Sequence, residues 1–184
     1  MDALLPGVVG GTAAVLTISF LLATRRGEAQ RAGDAHVVRY GWAWRALTLV
    51  LAPTPLGVGV LALVVPPKPD EAWIPWALAG GFLALIVPLV VEVFGVGHRL
   101  TDDGIERVTP WTRRVFVKWA DVTSVRFNPA MSWFVVTGRA GERVRVSFYL
   151  SGVGTFARFV LEKVAPEAYA GHAITRGQLE RLAR

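Results

Sequence analysis

The sequence predicts a membrane α-helical protein with three transmembrane helices in its N-terminal half, followed by a small, mainly-β domain with a C-terminal helix. Two observations predict this fold class. Three long stretches of the first half contain no charged residue, and from His98 onward apolar and polar residues alternate over short stretches bounded by turn residues. The first pattern is typical of membrane-spanning helices, and the second is typical of antiparallel strands.

The charge-free stretches cover residues 3–24, 46–67 and 72–91. A hydrocarbon core of about 30 Å requires about 20 helical residues, so each stretch is long enough to span it. We therefore predict a membrane domain over residues 1–97, with helices at about 3–24, 46–67 and 72–94. Pro53 and Pro55 interrupt the second helix, and we interpret them as packing kinks because the spans hold no charged residue for a transport site.

The basic residues of the loops predict the orientation of the chain in the membrane. The segment between the first two spans holds five arginines, whereas Lys68 is the one basic residue between the second and third. Basic residues of short loops are retained on the cytoplasmic side. We therefore expect a multi-pass protein of the inner (plasma) membrane, with its N-terminus outside and everything after His98 in the cytoplasm.

The excess positive charge lies entirely in the second half of the chain. Residues 1–97 carry six basic and six acidic side chains, whereas residues 98–184 carry fourteen and eight, which accounts for the net charge of +6. Beside membrane spans, this asymmetry favours an anionic leaflet over a nucleic acid as the partner. We predict no nucleic-acid partner.

The β domain is predicted over residues 98–165. Its expected strands are 98–101, 105–109, 114–119, 123–128, 133–138 and 143–149. Alternation places Val144 and Val146 on the inward face of the last strand. Thr155 is the expected N-cap of a following amphipathic helix, and Thr175 and Gln178 have the spacing of a capping box in a C-terminal tail over residues 166–184.

Three stretches of this region resemble a known family. They read "LTDDGIE", "VFVKWADVTSVRF" and "SWFVVTGRAGERVRVSFYL", and the second contains a W-x-x-[IV] pattern from Trp119 to Val122. Together they resemble the bacterial pleckstrin-homology-like (PH-like) domains found on small membrane proteins. The resemblance implies a bent barrel whose open end is plugged by the closing helix, and it implies no catalytic or ligand residue.

The residues offer little for catalysis. The chain has no cysteine, its three histidines are isolated in sequence, and it contains no G-x-S-x-G, H-E-x-x-H or P-loop motif. Asp102 and Asp103 are explained as turn formers before Gly104. Glu92, just beyond the third span, is expected to reach the inner headgroup region or to pair with a neighbouring base rather than to relay protons. We predict no catalytic residue, metal site or cofactor, and no enzymatic activity.

Binding is the remaining class of function. Arg113 and Arg114 lie in one turn of the predicted barrel, and Arg143 and Arg145 point outward on another strand. These basic residues either contact anionic headgroups or an acidic protein, or form a solvated face. The leading hypothesis is a membrane-anchored, non-enzymatic interaction module that presents a cytoplasmic PH-like domain to a protein partner or to inner-leaflet headgroups. The alternative is an accessory subunit of a transport or envelope-assembly complex that contacts the complex through its transmembrane helices.

Overall fold

The computed structural model describes residues 29–65, 67–109 and 113–184. The predicted span 3–24 lies outside the described residues, as do Arg25 and Arg26. The described chain forms two compact units. A β unit comprises residues 29–41 and 97–184, and a helical unit comprises residues 42–96.

The β unit contains nine strands and three helices among the described residues. The strands are β1 (Gln30–Ala32), β2 (Ala35–Tyr40), β3 (Gly97–Leu100), β4 (Gly104–Val108), β5 (Val115–Lys118), β6 (Val122–Asn128), β7 (Trp133–Gly138), β8 (Arg143–Ser147) and β9 (Leu150–Ser151). The helical unit contains α1 (Trp42–Leu51), α2 (Thr54–Val64) and α3 (Ile74–Gly95), and the β unit ends with α4 (Val153–Lys163), α5 (Glu167–Ala170) and α6 (Ala173–Ala183).

The strands form two antiparallel sheets. The first, sheet A, has the order β1-β2-β3-β4-β5, and β9 also pairs with β2. The second, sheet B, has the order β6-β7-β8. The predicted barrel therefore corresponds to two sheets in the structure, and the six strands predicted between residues 98 and 149 are confirmed to within two residues.

Strands β1 and β2 were not predicted, because their arginines were interpreted only as a signal for loop orientation. Gly33 and Asp34 form a two-residue hairpin turn, in which Gly33 has a φ of 63°. A positive φ at the first turn position suits the twist of a hairpin and favours glycine. Val38 of β2 is fully buried, so this segment belongs to the core of the β unit.

The helical unit is an insertion between two paired strands. Strand β2 ends at Tyr40 and α1 begins at Trp42, while α3 ends at Gly95 and β3 begins at Gly97. Arg39 and Gly97 are cross-strand partners, so the chain leaves sheet A and returns to it at neighbouring positions. The structure therefore differs from the predicted division of the chain at residue 97, because the β unit also includes residues 29–41.

The helical unit contains two helices that are long and apolar enough to cross a membrane, Trp42–Val64 and Pro69–Gly95. They overlap the predicted spans 46–67 and 72–94. The first is interrupted between α1 and α2, which confirms the predicted effect of Pro53 and Pro55. Pro53 has no N–H with which to continue the helical hydrogen-bond series.

The core of the β unit lies between its sheets and beneath α4. Val125, Phe134, Val144 and Val146 from sheet B are fully buried, which confirms the face predicted for β8, and Phe156 of α4 packs against Phe134 with ring centroids 5.5 Å apart. The apolar face of α4 therefore covers sheet B, as the amphipathic pattern of the helix predicted.

Both predicted helix caps are wrong. Helix α4 begins at Val153 after Gly152, whose φ is 84°, so Thr155 lies inside the helix. Helix α6 begins at Ala173, and the hydroxyl of Thr175 accepts a hydrogen bond of 2.9 Å from the N–H of Phe127 in β6. The predicted tail is therefore a packed part of the β unit, in which Leu179 is fully buried.

Candidate functional site

The outward face of sheet B carries three exposed arginines. Cross-strand pairing places Arg126, Val135 and Arg145 in one row across the sheet, and Ser124, Thr137 and Arg143 in the next. Adjacent strands lie about 4.8 Å apart, and alternate residues of one strand lie about 7 Å apart. Arg126, Arg143 and Arg145 thus surround the centre of this sheet, and we call this surface the arginine face.

The strands of sheet B contain no acidic residue. The carboxylates nearest in sequence, Asp121 and Glu142, line a separate depression beside Phe116 of β5, at one end of the sheet. Glu142 also has the inward parity of Val144 and Val146, and its Oε2 lies close to Gly138. The arginine face is therefore not neutralised by carboxylates of its own strands.

The position of Arg145 is supported from both sides of the sheet. Its guanidinium lies over the ring of Trp133, with 5.1 Å between Cζ and the ring centroid. On the inner side, Nε2 of His98 donates a hydrogen bond of 2.7 Å to the carbonyl of Arg145. A carbonyl can only accept, so the proton of the neutral imidazole is on Nε2. These contacts link the arginine face to sheet A.

His98 is a buried, neutral histidine. The pKa of His98 is lowered from 6.5 to about 4, mainly by burial. The hydrogen bond to the carbonyl of Arg145 acts in the opposite direction, and the nearby Arg107 adds a smaller lowering. Its Nδ1 is buried without a hydrogen-bond partner. Desolvation disfavours the charged imidazolium, so His98 supports the structure rather than supplying a proton to a ligand.

A depression of about 690 Å³ opens on the arginine face. Its lining combines the polar residues Ser124, Arg126, Asn128, Thr137 and Arg143 with the apolar residues Phe127, Pro129 and Val135. Hydroxyl, amide and guanidinium groups are donors suited to anionic oxygens, and guanidinium groups bind carboxylates and phosphates with two parallel hydrogen bonds. The polar residues of this depression are therefore of the types that suit an anion.

The predicted basic residues lie on two different sheets. Arg143 and Arg145 belong to the arginine face, whereas Arg113 and Arg114 lie just before β5 of sheet A and are exposed. Arg114 is 3.8 Å from a carboxylate oxygen of Glu106, which is also 4.0 Å from Arg99, so this pair has an acidic neighbour. The four arginines do not form a single cluster.

Sequence reasoning missed Arg126. The signal was present, because Val125 and Phe127 alternate with Ser124, Arg126 and Asn128 in β6. Neighbouring antiparallel strands place their outward residues on one face, so the pairing of β6, β7 and β8 would have added Arg126 to Arg143 and Arg145.

Among the residues that the structure describes, no group of three or more acidic or histidine side chains is arranged to hold a metal ion.

Comparison with known proteins relates part of the β unit to a protein family. Residues 97–150 match a family model described as a bacterial PH domain. The match covers the chain from β3 to the start of β9, and it leaves β1 and β2 outside. No curated protein and no solved structure matches the chain.

Proposed function

We propose that this chain, which contains a bacterial PH-like domain at residues 97–150, is a membrane-anchored, non-enzymatic interaction module. PH-like domains are generally binding modules without enzymatic activity. The helical hairpin of residues 42–95 is the membrane anchor, and the β unit presents the arginine face to a protein partner or to the headgroups of the inner leaflet. The observation that carries this proposal is the group of three exposed arginines on a sheet without acidic residues.

The pairing of β2 with β3 supports a hairpin that crosses the membrane twice. The two strands flank the helical unit and are hydrogen-bonded neighbours, so both must lie on the same side of the bilayer. An even number of crossings satisfies this requirement. The outward apolar side chains of the hairpin, among them Leu63 at 71% exposure and Leu85 at 72%, are suited to lipid contact.

The same side is proposed to be the cytoplasm, because Arg31, Arg39 and Arg45 flank the start of the hairpin. A fluorescent reporter fused after Arg184 is expected to be active in the cytoplasm. Phosphatase activity from a periplasm-dependent reporter at the same position would contradict this orientation.

The proposed contact residues are Arg126, Arg143 and Arg145 on the arginine face, with Arg113 and Arg114 as a second basic surface on sheet A. Each basic side chain close to an anionic membrane contributes on the order of 1 kcal/mol, and screening weakens the attraction at high salt. The contact is therefore expected to depend on ionic strength.

Site-specific photocrosslinking tests the arginine face. Val135 lies between Arg126 and Arg145, so the photoreactive residue p-benzoylphenylalanine at position 135 would sample whatever covers this face. The full chain in intact cells is expected to give a discrete adduct with a protein or a phospholipid, which mass spectrometry distinguishes. The matched control places the same residue at Ala140, which is exposed in the turn between β7 and β8.

The triple variant R126Q/R143Q/R145Q is expected to abolish the adduct at position 135. An adduct of equal yield in the triple variant would show that the arginines do not form the contact. If position 135 gives no adduct, or only the adduct that position 140 also gives, the arginine face is a solvated surface and the proposal fails.

The alternative is an accessory subunit that contacts a transport or envelope-assembly complex through its spans. The observation in its favour is the outward apolar surface of the hairpin, which can face partner helices as well as lipid. A crosslinker in place of Leu63 or Leu85 would then yield a protein adduct that persists in the triple arginine variant. Lipid adducts alone at both positions would exclude this alternative.

A further inference from the structure

The turn between β6 and β7, residues 129–132, is an exposed apolar tip. Pro129, Ala130 and Met131 are exposed, and Met131 has 59% of its surface accessible. No charged residue occurs between Arg126 and Arg139. Water therefore contacts an uncharged tip whose largest member is a flexible apolar side chain.

The turn has a defined conformation. The side-chain oxygen of Asn128 accepts a hydrogen bond of 3.2 Å from the N–H of Met131, and Ser132 adopts a φ of 51°. The carbonyl of Ser132 accepts a hydrogen bond of 2.8 Å from the N–H of Phe148. Hydrogen bonds thus hold the tip at both ends, and the exposed side chain of Met131 is not part of the described core.

The tip lies at the end of the β unit from which the helical hairpin departs. Phe148, whose N–H donates to the carbonyl of Ser132, is followed by β9, and β9 pairs with Arg39 and Tyr40 at the end of β2. The chain leaves for the hairpin directly after Tyr40. The turn at residues 139–142 lies at the opposite end, because it shares a depression with Lys118, which pairs with Gly104 at the far end of sheet A.

Two arginines of the arginine face flank the tip. Arg126 lies two residues before Asn128, and Arg145 is held over Trp133, the first residue of β7. An apolar tip beside cationic groups is complementary to a bilayer interface, where acyl chains lie beneath anionic phosphates.

A protein partner fits this tip less well than a lipid bilayer does. In the described β unit the large apolar side chains that are exposed are Phe116, Met131 and Ile174, and they lie on different elements. A stable protein interface buries about 800 Å² on each partner around an apolar centre. One methionine at a narrow turn does not provide such a centre, whereas fluid lipid needs no preformed complementary surface.

We infer that the β6–β7 turn docks on the anionic bilayer that holds the hairpin, with Met131 inserted among the upper acyl chains and Arg126 and Arg145 bound to lipid phosphates. The inference rests on the proposed membrane anchoring and deepens it by naming phospholipid as the occupant of this surface. The β unit is then held at its tip as well as at its two chain connections.

Fluorescence of the full chain tests the docking. The sequence has no cysteine, so Met131→Cys provides a single labelling site for an environment-sensitive fluorophore, and Ala140→Cys provides the matched control at the opposite turn. Each labelled protein is reconstituted into vesicles of phosphatidylcholine alone or with phosphatidylglycerol, with and without a lipid that carries a spin-label quencher. We expect blue-shifted, lipid-quenched emission at position 131 in the anionic vesicles, and solvent-like emission at position 140.

The variant R126Q/R145Q in the Met131→Cys background is expected to lose most of the quenching. Three results would overturn the inference: no quenching at position 131 in anionic vesicles, equal quenching at positions 131 and 140, or quenching that persists unchanged in R126Q/R145Q. Carbonate extraction of the same vesicles tests anchoring separately. Protein released by carbonate would refute the membrane anchor itself, whereas retained protein without quenching would refute only the docking of the turn.

Discussion

The insertion of the hairpin between β2 and β3 predicts which fragment of this chain folds alone. A fragment of residues 98–184, the domain expected from sequence, lacks β1 and β2. A second fragment joins residues 29–40 to residues 96–184 through an Asn-Gly linker in place of the hairpin. Because Arg39 pairs with Gly97, the next opposing pair is Tyr40 with Val96, and a two-residue Asn-Gly turn closes such a pair.

The stability lost on removal of β2 follows from the burial of its side chains. Val38 is fully buried, while Ala35 and Tyr40 are 2% and 9% exposed. Burial of one large apolar side chain stabilises by about 1.5 to 3 kcal/mol, so removal of β2 costs on the order of 5 kcal/mol. Strand β2 also pairs with both β3 and β9, whose backbone groups would lose these partners. A small domain has about 5 to 15 kcal/mol of stability in total, so this loss is enough to unfold many such domains.

The assay is urea denaturation followed by circular dichroism and tryptophan fluorescence. We expect a cooperative transition for the hairpin-excised fragment and none for residues 98–184. Val38→Asp in the hairpin-excised fragment is the control, because it keeps the length and the linker but buries a charge in place of an apolar side chain. A cooperative transition of residues 98–184 with the same midpoint as the hairpin-excised fragment would refute the reasoning.

Three further predictions use the hairpin-excised fragment. Trp119→Ala should cost about 3 to 5 kcal/mol in the free energy of unfolding, because Trp119 is 4% exposed. Trp119→Phe keeps an aromatic ring and loses the 2.9 Å hydrogen bond that Nε1 donates to the carbonyl of Thr101, so it should cost less free energy of unfolding than Trp119→Ala. A loss below about 1 kcal/mol for the alanine variant would show that the side chain is not part of the core. Burial depresses the pKa of His98 from 6.5 to about 4, so the unfolded chain binds a proton that the folded one excludes. The free energy of unfolding should therefore be highest above pH 6.5 and fall by on the order of 3 kcal/mol as the pH decreases to about 4. The His98→Gln variant should lack this decrease, and an unchanged pH profile in that variant would show that another group causes it. Thr175→Val removes the acceptor of the Phe127 N–H and should cost about 1 to 3 kcal/mol, whereas an unchanged midpoint would mean that water replaces the hydroxyl.

The sequence allowed the strands from β3 to β8 to be predicted because local alternation and turn residues define them. Val144 and Val146 were assigned to the correct face for the same reason. Strand β2 pairs with β3, which follows only after the whole hairpin, and β1 pairs with β2 across the turn at Gly33 and Asp34, a local signal that the interpretation of the arginines overrode. The arginines in this segment favoured an interpretation based on membrane orientation, although Arg39 also belongs to a strand.

The candidate site was predicted in part. Arg143 and Arg145 were assigned outward by alternation within one strand, and both are exposed. Arg126 required knowledge of which strands are neighbours. The spacing of Thr175 to Gln178 predicts a helix cap, yet the Thr175 hydroxyl accepts a hydrogen bond from the N–H of Phe127 in β6. The spacing of nearby residues does not encode such a long-range contact.

The position of the hairpin also determines the order of events during synthesis. Strand β2 leaves the ribosome before α1, and β3 follows only after both candidate spans have been made. At about 5 to 20 residues per second, β2 waits several seconds for its partner. Until β3 is made, the edge of β2 that pairs with it stays unpaired, and an unpaired strand edge is open to pairing with another chain. Under the proposed function, insertion of the hairpin into the membrane would therefore fall between the synthesis of β2 and its pairing with β3.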